Sequence, residues 1–182
     1  MDYPNLALIG FMASGKSTIG AALAARLEYP LIDLDQRIVA AAGCAIPSIF
    51  ATEGEVGFRA REAAAAHEAA AEPRWIIACG GGIVHNAAAL AHLAARGRVV
   101  WLRLGEDVLA QRIVADGPGR PMIDDHVEAL TLTAVRRRVR ELLDQRRPLY
   151  EAAGGLAVDL DGLDVPAAAE AILARLAAEA CS

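Results

Sequence analysis

Short apolar runs recur along the chain, separated by longer stretches that are rich in alanine and charged residues. Runs of this length and apolarity are typical of strands that are buried on both faces of a parallel sheet. The pattern predicts five strands, at residues 6–9, 31–32, 75–79, 99–104 and 156–158.

The stretches between these runs favour helices, because alanine has the highest helix propensity of all residues. Helices are predicted at residues 18–27, 36–42, 87–95, 106–115, 127–145 and 166–180, with a long helix, continuous or broken, over residues 48–71. Residues 116–125 read as a loop, and a short turn is expected after Pro148.

Strands that alternate with helices predict right-handed βαβ units. We therefore expect one α/β domain over residues 1–182, in which helices cover both faces of a five-stranded parallel sheet. In such a three-layer fold, ligands bind at the carboxyl ends of the strands.

Charge and composition exclude several classes of protein. The net charge is −5, and the arginines are dispersed apart from four within residues 136–140, which we expect to form a solvated helix face. This distribution argues against a nucleic-acid partner. The first predicted strand begins at residue 6, which leaves no room for a signal peptide before it. No uncharged apolar run reaches membrane-spanning length, so no membrane partner is expected.

Cys44, Cys79 and Cys181 are an odd number of cysteines without C-x-x-C spacing. This pattern disfavours both a disulfide framework and a zinc site, and it suits a reducing cytoplasm. Cys79, at a strand end, is expected to be a small buried apolar residue.

The four histidines lack metal-ligand spacing and are expected to be exposed or hydrogen-bonded rather than catalytic. We expect a monomer.

Residues 10–17, Gly-Phe-Met-Ala-Ser-Gly-Lys-Ser, match the phosphate-binding pattern G-x-x-x-x-G-K-[ST] between a predicted strand and a predicted helix. In such a loop, backbone N–H groups and the helix N-terminus surround the phosphates. Lys16, the one lysine of the chain, would reach the β- and γ-phosphates, and Ser17 would bind Mg²⁺.

Two strand ends carry further candidate chemistry. Asp33 and Asp35 follow the second strand, and their side chains would point to one side if the chain stays extended. One carboxylate could then bind a metal ion and the other an acceptor hydroxyl. Alternatively, either aspartate is the N-cap of the following helix. The third strand ends in three glycines instead of a metal-binding aspartate, which assigns the metal carboxylate to Asp33. Those glycines, residues 80–82, either admit a small polar ligand or form a simple turn.

Three arginines are candidates for binding anions. Arg59 lies on a helix that could overhang the strand ends, and Arg146 lies where a charged helix is expected to stop before Pro148. A pair of arginine forks would suit a substrate with one carboxylate. Arg120 lies in the predicted loop 116–125, a candidate lid, from which it could stabilise the charge of a transferred phosphoryl group.

Taken together, these motifs resemble the shikimate kinase family along nearly the whole chain. The matching residues are Gly10 to Thr18, Asp33, Asp35, Ile49, Phe50, Gly54, Glu55, Phe58, Arg59, Glu62, Gly80 to Gly82, Arg120, Pro121, Arg146, Pro148, Leu149 and Tyr150. The resemblance implies a fold of the P-loop kinase type with ATP and Mg²⁺ as cofactors, a substrate-binding helical segment at about 36–62 and a lid at about 116–125.

The resemblance also implies the roles of individual residues. Shikimate would be held by Asp35, Arg59, Gly81 and Arg146, with its 3-hydroxyl at Asp35 and its carboxylate at the other three. Mg²⁺ would be ordered by Ser17 and Asp33. The nucleotide would contact Ala13, Ser14, Gly15, Lys16, Ser17 and Thr18 through its phosphates, Arg112 and residues 164–166 through its adenine, and Arg120 from the lid.

The resulting hypothesis is ATP-dependent phosphorylation of shikimate to shikimate 3-phosphate in aromatic amino-acid biosynthesis, with Lys16, Asp35 and Arg120 as catalytic residues. One alternative is a related small-metabolite kinase such as gluconate kinase. Another is a noncatalytic nucleotide-binding regulatory protein, which the presence of Lys16, Asp33, Asp35 and Arg120 together disfavours.

Overall fold

A computed structural model describes residues 4–180 of the chain. The first three residues, on which part of the signal-peptide expectation rests, and Cys181 lie outside the described residues. Within the described part, five parallel strands form one sheet in the order β2-β3-β1-β4-β5. The strands are β1 (Asn5–Ile9), β2 (Leu31–Asp33), β3 (Ile76–Ala78), β4 (Gly97–Arg103) and β5 (Leu156–Asp159).

Eight helices of the described part surround the sheet. They are α1 (Lys16–Leu27), α2 (Leu34–Ala42), α3 (Ile46–Ala71), α4 (Ala87–Arg96), α5 (Glu106–Asp116), α6 (Pro121–Asp124), α7 (Leu132–Ala152) and α8 (Val165–Ala180). A single 3₁₀ turn at Ile83–His85 precedes α4. The predicted fold class, a parallel five-stranded sheet between helical layers, is confirmed.

Side chains of the central strand alternate between two hydrophobic cores. Leu6 and Leu8 pack into the core that faces α1, α5, α7 and α8, whereas Ala7 and Ile9 pack into the core that faces α2, α3 and α4. All four are buried. Because successive residues of a strand point to opposite faces, one apolar run supplies both cores.

Both ends of helix α7 differ from the predicted boundaries. It begins at Leu132, where the Thr131 side chain accepts a hydrogen bond from the amide of Ala134. The turn predicted after Pro148 is wrong, because the helix continues through that proline to Ala152. Tyr150 is 1% exposed, and the burial of this last turn offsets the hydrogen bond that proline cannot donate.

Other corrections concern the second strand and the candidate lid. The chain does not stay extended after Asp33, because α2 begins at Leu34 and Asp33 caps it by accepting a hydrogen bond from the amide of Gln36. Helix α3 is broken at Gly54, whose φ of 67° is left-handed. The predicted loop 116–125 contains the short helix α6. No helix among residues 4–180 is both long and apolar enough to cross a bilayer.

Candidate active site

The loop between β1 and α1 contains two residues with left-handed backbone conformation. Gly15, directly before α1, has a φ of 89°, and Ala13 is also left-handed with a φ of 60°. A left-handed alanine costs about 1–2 kcal/mol, a strain typical of functional loops. The N-terminus of α1 has no side-chain cap, so its first amides are available to an anion.

Lys16 lies half-buried under this loop. Its Nζ donates hydrogen bonds to the carbonyl oxygens of Gly10 at 3.0 Å and Phe11 at 2.9 Å, and contacts Ser14 Oγ at 3.4 Å. Burial lowers the pKa of this ammonium to about 8, although nearby carboxylates act in the opposite direction. An anion at the loop would favour the charged form.

The side chains of Ser17, on α1, and Asp33, at the end of β2, are hydrogen-bonded to each other. Ser17 Oγ donates to Asp33 Oδ2 at 2.9 Å, while Asp33 Oδ1 caps α2. The alternatives of N-cap and metal-facing carboxylate are therefore not exclusive, because the two carboxylate oxygens point to different partners. The two side chains thus place a hydroxyl oxygen and a carboxylate oxygen side by side at the N-terminus of α1.

Asp35 lies within the first turn of α2, close to the glycines that follow β3. A Cβ atom at Gly80 would lie 2.5 Å from Asp35 Oδ1, so any side chain there would displace the Asp35 carboxylate. Burial raises the pKa of Asp35, and the charges of Asp33 and Glu62 raise it further, against Lys16 and Arg59. A raised pKa makes this carboxylate a stronger base.

A cavity of about 520 Å³, which we call the arginine cavity, lies between α3, the glycines and the candidate lid. Its charged and titratable lining residues are Asp35, Glu55, Arg59, Glu62, His85, Arg120 and Arg146. The fold thus brings together Asp35, Arg59, Gly81 and Arg146, which the family resemblance implies to be ligands of one substrate.

Arg146 is held in place from two sides. Its Nη1 donates to the carbonyl oxygen of Gly81 at 3.3 Å, and its guanidinium lies 5.5 Å from the ring centroid of Phe11. Although α7 continues past the expected stop, Arg146 still reaches the cavity. His85 also lines it; burial, with the charges of Arg146 and Arg59, lowers the His85 pKa, so this imidazole is neutral near pH 7.

Sequence reasoning gave no role to two buried polar residues beside Arg59. Glu62, 1% exposed, accepts a hydrogen bond from Arg59 Nη1 at 2.8 Å, and Asn86, 6% exposed, donates to Glu62 Oε2 at 2.9 Å. The spacing of Arg59 and Glu62, three residues apart on one helix, was a usable signal. Asn86 had only the signal of an N-cap residue before a helix.

Arg120 is bound within its own segment. It pairs with Asp116 at 2.6 Å and donates to the Gly117 carbonyl at 3.3 Å. Asp124 Oδ2 accepts the amides of Gly119 and Arg120 at 2.6 and 2.7 Å, which fixes the turn before α6. In this arrangement Arg120 lines the arginine cavity and is not among the residues lining the cavity at the phosphate loop.

The second cavity, the P-loop cavity, measures about 420 Å³ and is lined by Ala13 to Thr18. Arg112 borders it and donates to the carbonyl of Ala13 at 3.2 Å. Leu163, Asp164 and Val165 also line it, so two residues of the segment expected to contact adenine, 164–166, border this cavity, whereas Pro166 does not. A lysine-bearing phosphate loop after the first strand of a parallel sheet, with two cavities beside it, is the arrangement of a P-loop phosphotransferase.

Comparison with known proteins identifies the family. A family model described as "Shikimate kinase" matches residues 12–177. This chain belongs to the shikimate kinase family, whose members are phosphotransferases with an alcohol acceptor.

Individual relatives agree over most of the chain. A shikimate kinase of Salinibacter ruber is 42% identical over 147 residues, covering 80% of this chain and 72% of the relative. One from Synechococcus sp. (strain RCC307) is 40% identical over 172 residues, covering 94% and 84% respectively.

Solved structures give the same result. A shikimate kinase from Acinetobacter baumannii in complex with shikimate superposes with a TM-score of 0.84 at 33% identity, covering 97% of this chain and 94% of the other. A gluconokinase from Sinorhizobium meliloti has a TM-score of 0.60 at 19% identity, with coverage of 98% and 94%. That likeness concerns the fold alone.

Proposed function

We propose that the protein transfers the γ-phosphoryl group of ATP to the 3-hydroxyl of shikimate, giving ADP and shikimate 3-phosphate. The observation that carries this proposal is the meeting of Asp35, Arg59 and Arg146 in one cavity that borders the phosphate loop. Two guanidinium groups complement one carboxylate, and a carboxylate of raised pKa complements one hydroxyl.

In this mechanism the side chains act by position and charge. Arg59, Arg146 and Gly81 hold the acceptor, while Asp35 orients its 3-hydroxyl and accepts the proton as the new oxygen–phosphorus bond forms. The bond from the γ-phosphorus to the bridging oxygen of ADP breaks, and Lys16 stabilises the developing charge. Arg120 adds a second positive charge once its segment moves over the phosphates.

The nucleotide occupies the P-loop cavity in this proposal. Its phosphates lie on residues 13–18, and its adenine lies between Arg112 and the segment near Asp164. The wall residues Leu163 and Val165 supply apolar contact for a flat ring. The region about 36–62 binds the acceptor, and residues of about 116–125 form the lid.

Mg²⁺ fits the donor set of Ser17 and Asp33. A hydroxyl and a carboxylate oxygen, 2.9 Å apart, are hard ligands of the type this ion prefers, and Mg²⁺ sites at nucleotides use one or two carboxylates. Within residues 4–180 no cluster of three or more His, Cys, Asp or Glu side chains offers a metal site of its own. The bound ion would neutralise charge on the phosphates.

We place this activity in the cytoplasm and in a monomer. Cys44 and Cys79 are free thiols, which suits a reducing compartment. Burial raises the pKa of the Cys79 thiol, so this residue behaves as the apolar core residue expected from its position.

Steady-state kinase assays test the proposal on a panel of shikimate, gluconate and other hydroxy acids. We expect shikimate to be phosphorylated with by far the highest kcat/KM. Arg59→Ala and Arg146→Ala should each raise the KM for shikimate about thirtyfold, since losing one charge-assisted contact costs on the order of 2 kcal/mol, and should leave the KM for ATP nearly unchanged.

A matched control is Arg98→Ala. Arg98 lies at the amino end of β4, away from the strand ends that carry the site, and pairs with Glu179 at 2.6 Å. This variant should keep both KM values. An unchanged shikimate KM in both Arg59→Ala and Arg146→Ala would contradict the carboxylate assignment, and turnover of gluconate in place of shikimate would contradict the substrate.

A further inference from the structure

Asn86 occupies the junction between the glycines that follow β3 and helix α4. Its Oδ1 accepts a hydrogen bond from the amide of Ala89 at 3.1 Å and so caps α4. Serine, threonine or aspartate would cap a helix as well as asparagine does, because capping needs only an acceptor. The cap therefore does not explain why this buried position carries an amide.

The amide nitrogen of Asn86 faces the opposite way, towards α3. It donates to the carbonyl oxygen of Arg59 at 2.8 Å and to Glu62 Oε2 at 2.9 Å. These two contacts need a donor on the same side chain that supplies the capping acceptor. Among the common N-cap side chains, only asparagine has an acceptor oxygen together with a separate amino group that carries two donor hydrogens; a serine or threonine hydroxyl has one hydrogen to donate, and aspartate has none when ionised.

Glu62 transmits this contact to Arg59. Its Oε2 accepts hydrogen bonds from both Asn86 Nδ2 and Arg59 Nη1, the latter at 2.8 Å. A carboxylate that is 1% exposed needs such partners, because burying an unpaired charge is costly. The direction of the Arg59 guanidinium therefore depends on a carboxylate whose own place is fixed by Asn86.

We propose that Asn86 is a positioning residue for acceptor binding: its amide holds Glu62, and through Glu62 it aims Arg59 at the shikimate carboxylate. This inference rests on the proposed function, since it takes Arg59 as a ligand of the acceptor. A displacement of about 1 Å in a clamp of this kind can cost large factors in binding or rate.

Asn86 also ties α3 to the opposite wall of the cavity. It follows the 3₁₀ turn Ile83–His85, which continues directly from the glycines, and the carbonyl of Gly81 accepts the hydrogen bond from Arg146. One side chain thus connects the helix that carries Arg59 to the segment that contacts Arg146.

The variant Asn86→Ser separates the two roles of the side chain. Serine keeps the cap of α4, but its side chain is shorter and its single hydroxyl hydrogen cannot replace the two donations to Glu62 and to the Arg59 carbonyl. We expect the KM for shikimate to rise about tenfold, the effect of a weakened hydrogen bond to a charged group, while kcat and the KM for ATP stay within about twofold. Asn86→Asp, which keeps the shape and places a second carboxylate against Glu62, should raise the shikimate KM further.

Thr131→Ala is the matched control for loss of a helix cap. Thr131 caps α7 by accepting a hydrogen bond from Ala134 at 3.3 Å and has no contact with Arg59. This variant should lower the melting temperature and leave the shikimate KM unchanged. A purely structural role of Asn86 would instead move both KM values together or neither.

The outcomes distinguish this inference from the proposed function. A raised shikimate KM in Arg59→Ala with a wild-type shikimate KM in Asn86→Ser would overturn the positioning role alone. An unchanged shikimate KM in Arg59→Ala would overturn the clamp and the inference together. A crystal structure of the wild-type protein with shikimate tests the inference without any variant. We expect the hydrogen bonds from Asn86 and from Arg59 to Glu62 to remain in that complex. Loss of the contact between Arg59 and Glu62 on binding would overturn the inference.

Discussion

Because Lys16 is buried beside the phosphate loop, its protonation should depend on whether a nucleotide is bound. Burial lowers the pKa of the ammonium to about 8, well below the ordinary value of 10.5. In the ligand-free protein about a tenth of the amine is therefore neutral at pH 7. Phosphate oxygens at the loop would restore the charged form, so nucleotide binding should take up protons between about pH 7 and 9.

Amine-selective acylation measures this directly, since Lys16 is the one lysine in the sequence. In the ligand-free protein we expect labelling of Lys16 to rise with a midpoint near pH 8, because only the neutral amine reacts. Saturating ATP should move the midpoint upward and slow labelling at pH 8 about tenfold or more, by charge and by burial. Peptide-level mass spectrometry with and without nucleotide provides the measurement.

The α-amino group serves as an internal control in the same sample, with no change expected on adding ATP. Shikimate alone should alter Lys16 labelling much less than ATP does. Equal labelling of Lys16 with and without bound nucleotide would rule out its phosphate role.

At the scale of elements, the segment between α5 and α7 holds Arg120 through contacts of its own. Arg120 pairs with Asp116, the last residue of α5, and the Asp116 side chain is exposed whereas that of Arg120 is half-buried. Such a pair contributes only about 0–1 kcal/mol, so a modest competing interaction suffices to release the arginine. Arg138 Nε, on α7, donates to the Met122 carbonyl at 3.0 Å and so connects α6 to α7.

Arg120→Ala should lower kcat by about a thousandfold, a typical effect of removing an arginine that stabilises phosphoryl-transfer charge. Equilibrium affinity for shikimate should change little, because the arginine is needed only when the segment covers the phosphates. Its partner variant Asp116→Ala, which removes the same ion pair, should keep kcat within about tenfold. Wild-type turnover by Arg120→Ala would remove this residue from the mechanism.

At the scale of the whole molecule, the sheet is the rigid support of both cavities. Every residue of β1 is buried, and β1 lies between β3 and β4 at the centre of the sheet. The phosphate loop follows it directly, and the glycines of the arginine cavity follow the neighbouring strand. The relative position of the two cavities is therefore set by the register between β1 and β3, in which Leu8 lies opposite Ala78.

Leu8→Ala should lower the free energy of unfolding by about 2–5 kcal/mol, the cost of a cavity at a fully buried leucine. Val56→Ala is the control, because Val56 is 85% exposed and its truncation should change stability by at most about 0.5 kcal/mol. Urea unfolding followed by circular dichroism measures both. Similar losses in the two variants would contradict the assignment of β1 as the centre of the core.

Prediction from sequence succeeded where the signal is local. The fold class was predicted correctly because each strand is a compact apolar run and each helix is rich in residues of high helix propensity. The assigned roles of Asp35, Arg59 and Arg146 stay predictions, although these residues do line one cavity. The stop at Pro148 failed, because burial of Tyr150 outweighed the local preference of proline.

The sequence by itself determined the five strands, most of the helices and the position of the phosphate-loop motif, since these depend on residues within a few positions of one another; α6 and the end of α7 are the exceptions. Only the tertiary structure decided the strand order β2-β3-β1-β4-β5 and the chain of contacts from Asn86 through Glu62 to Arg59. Asn86 lies 24 residues from Glu62 and 27 from Arg59. Contacts across such separations arise from the packing of α4 against α3, which no local pattern of residues encodes.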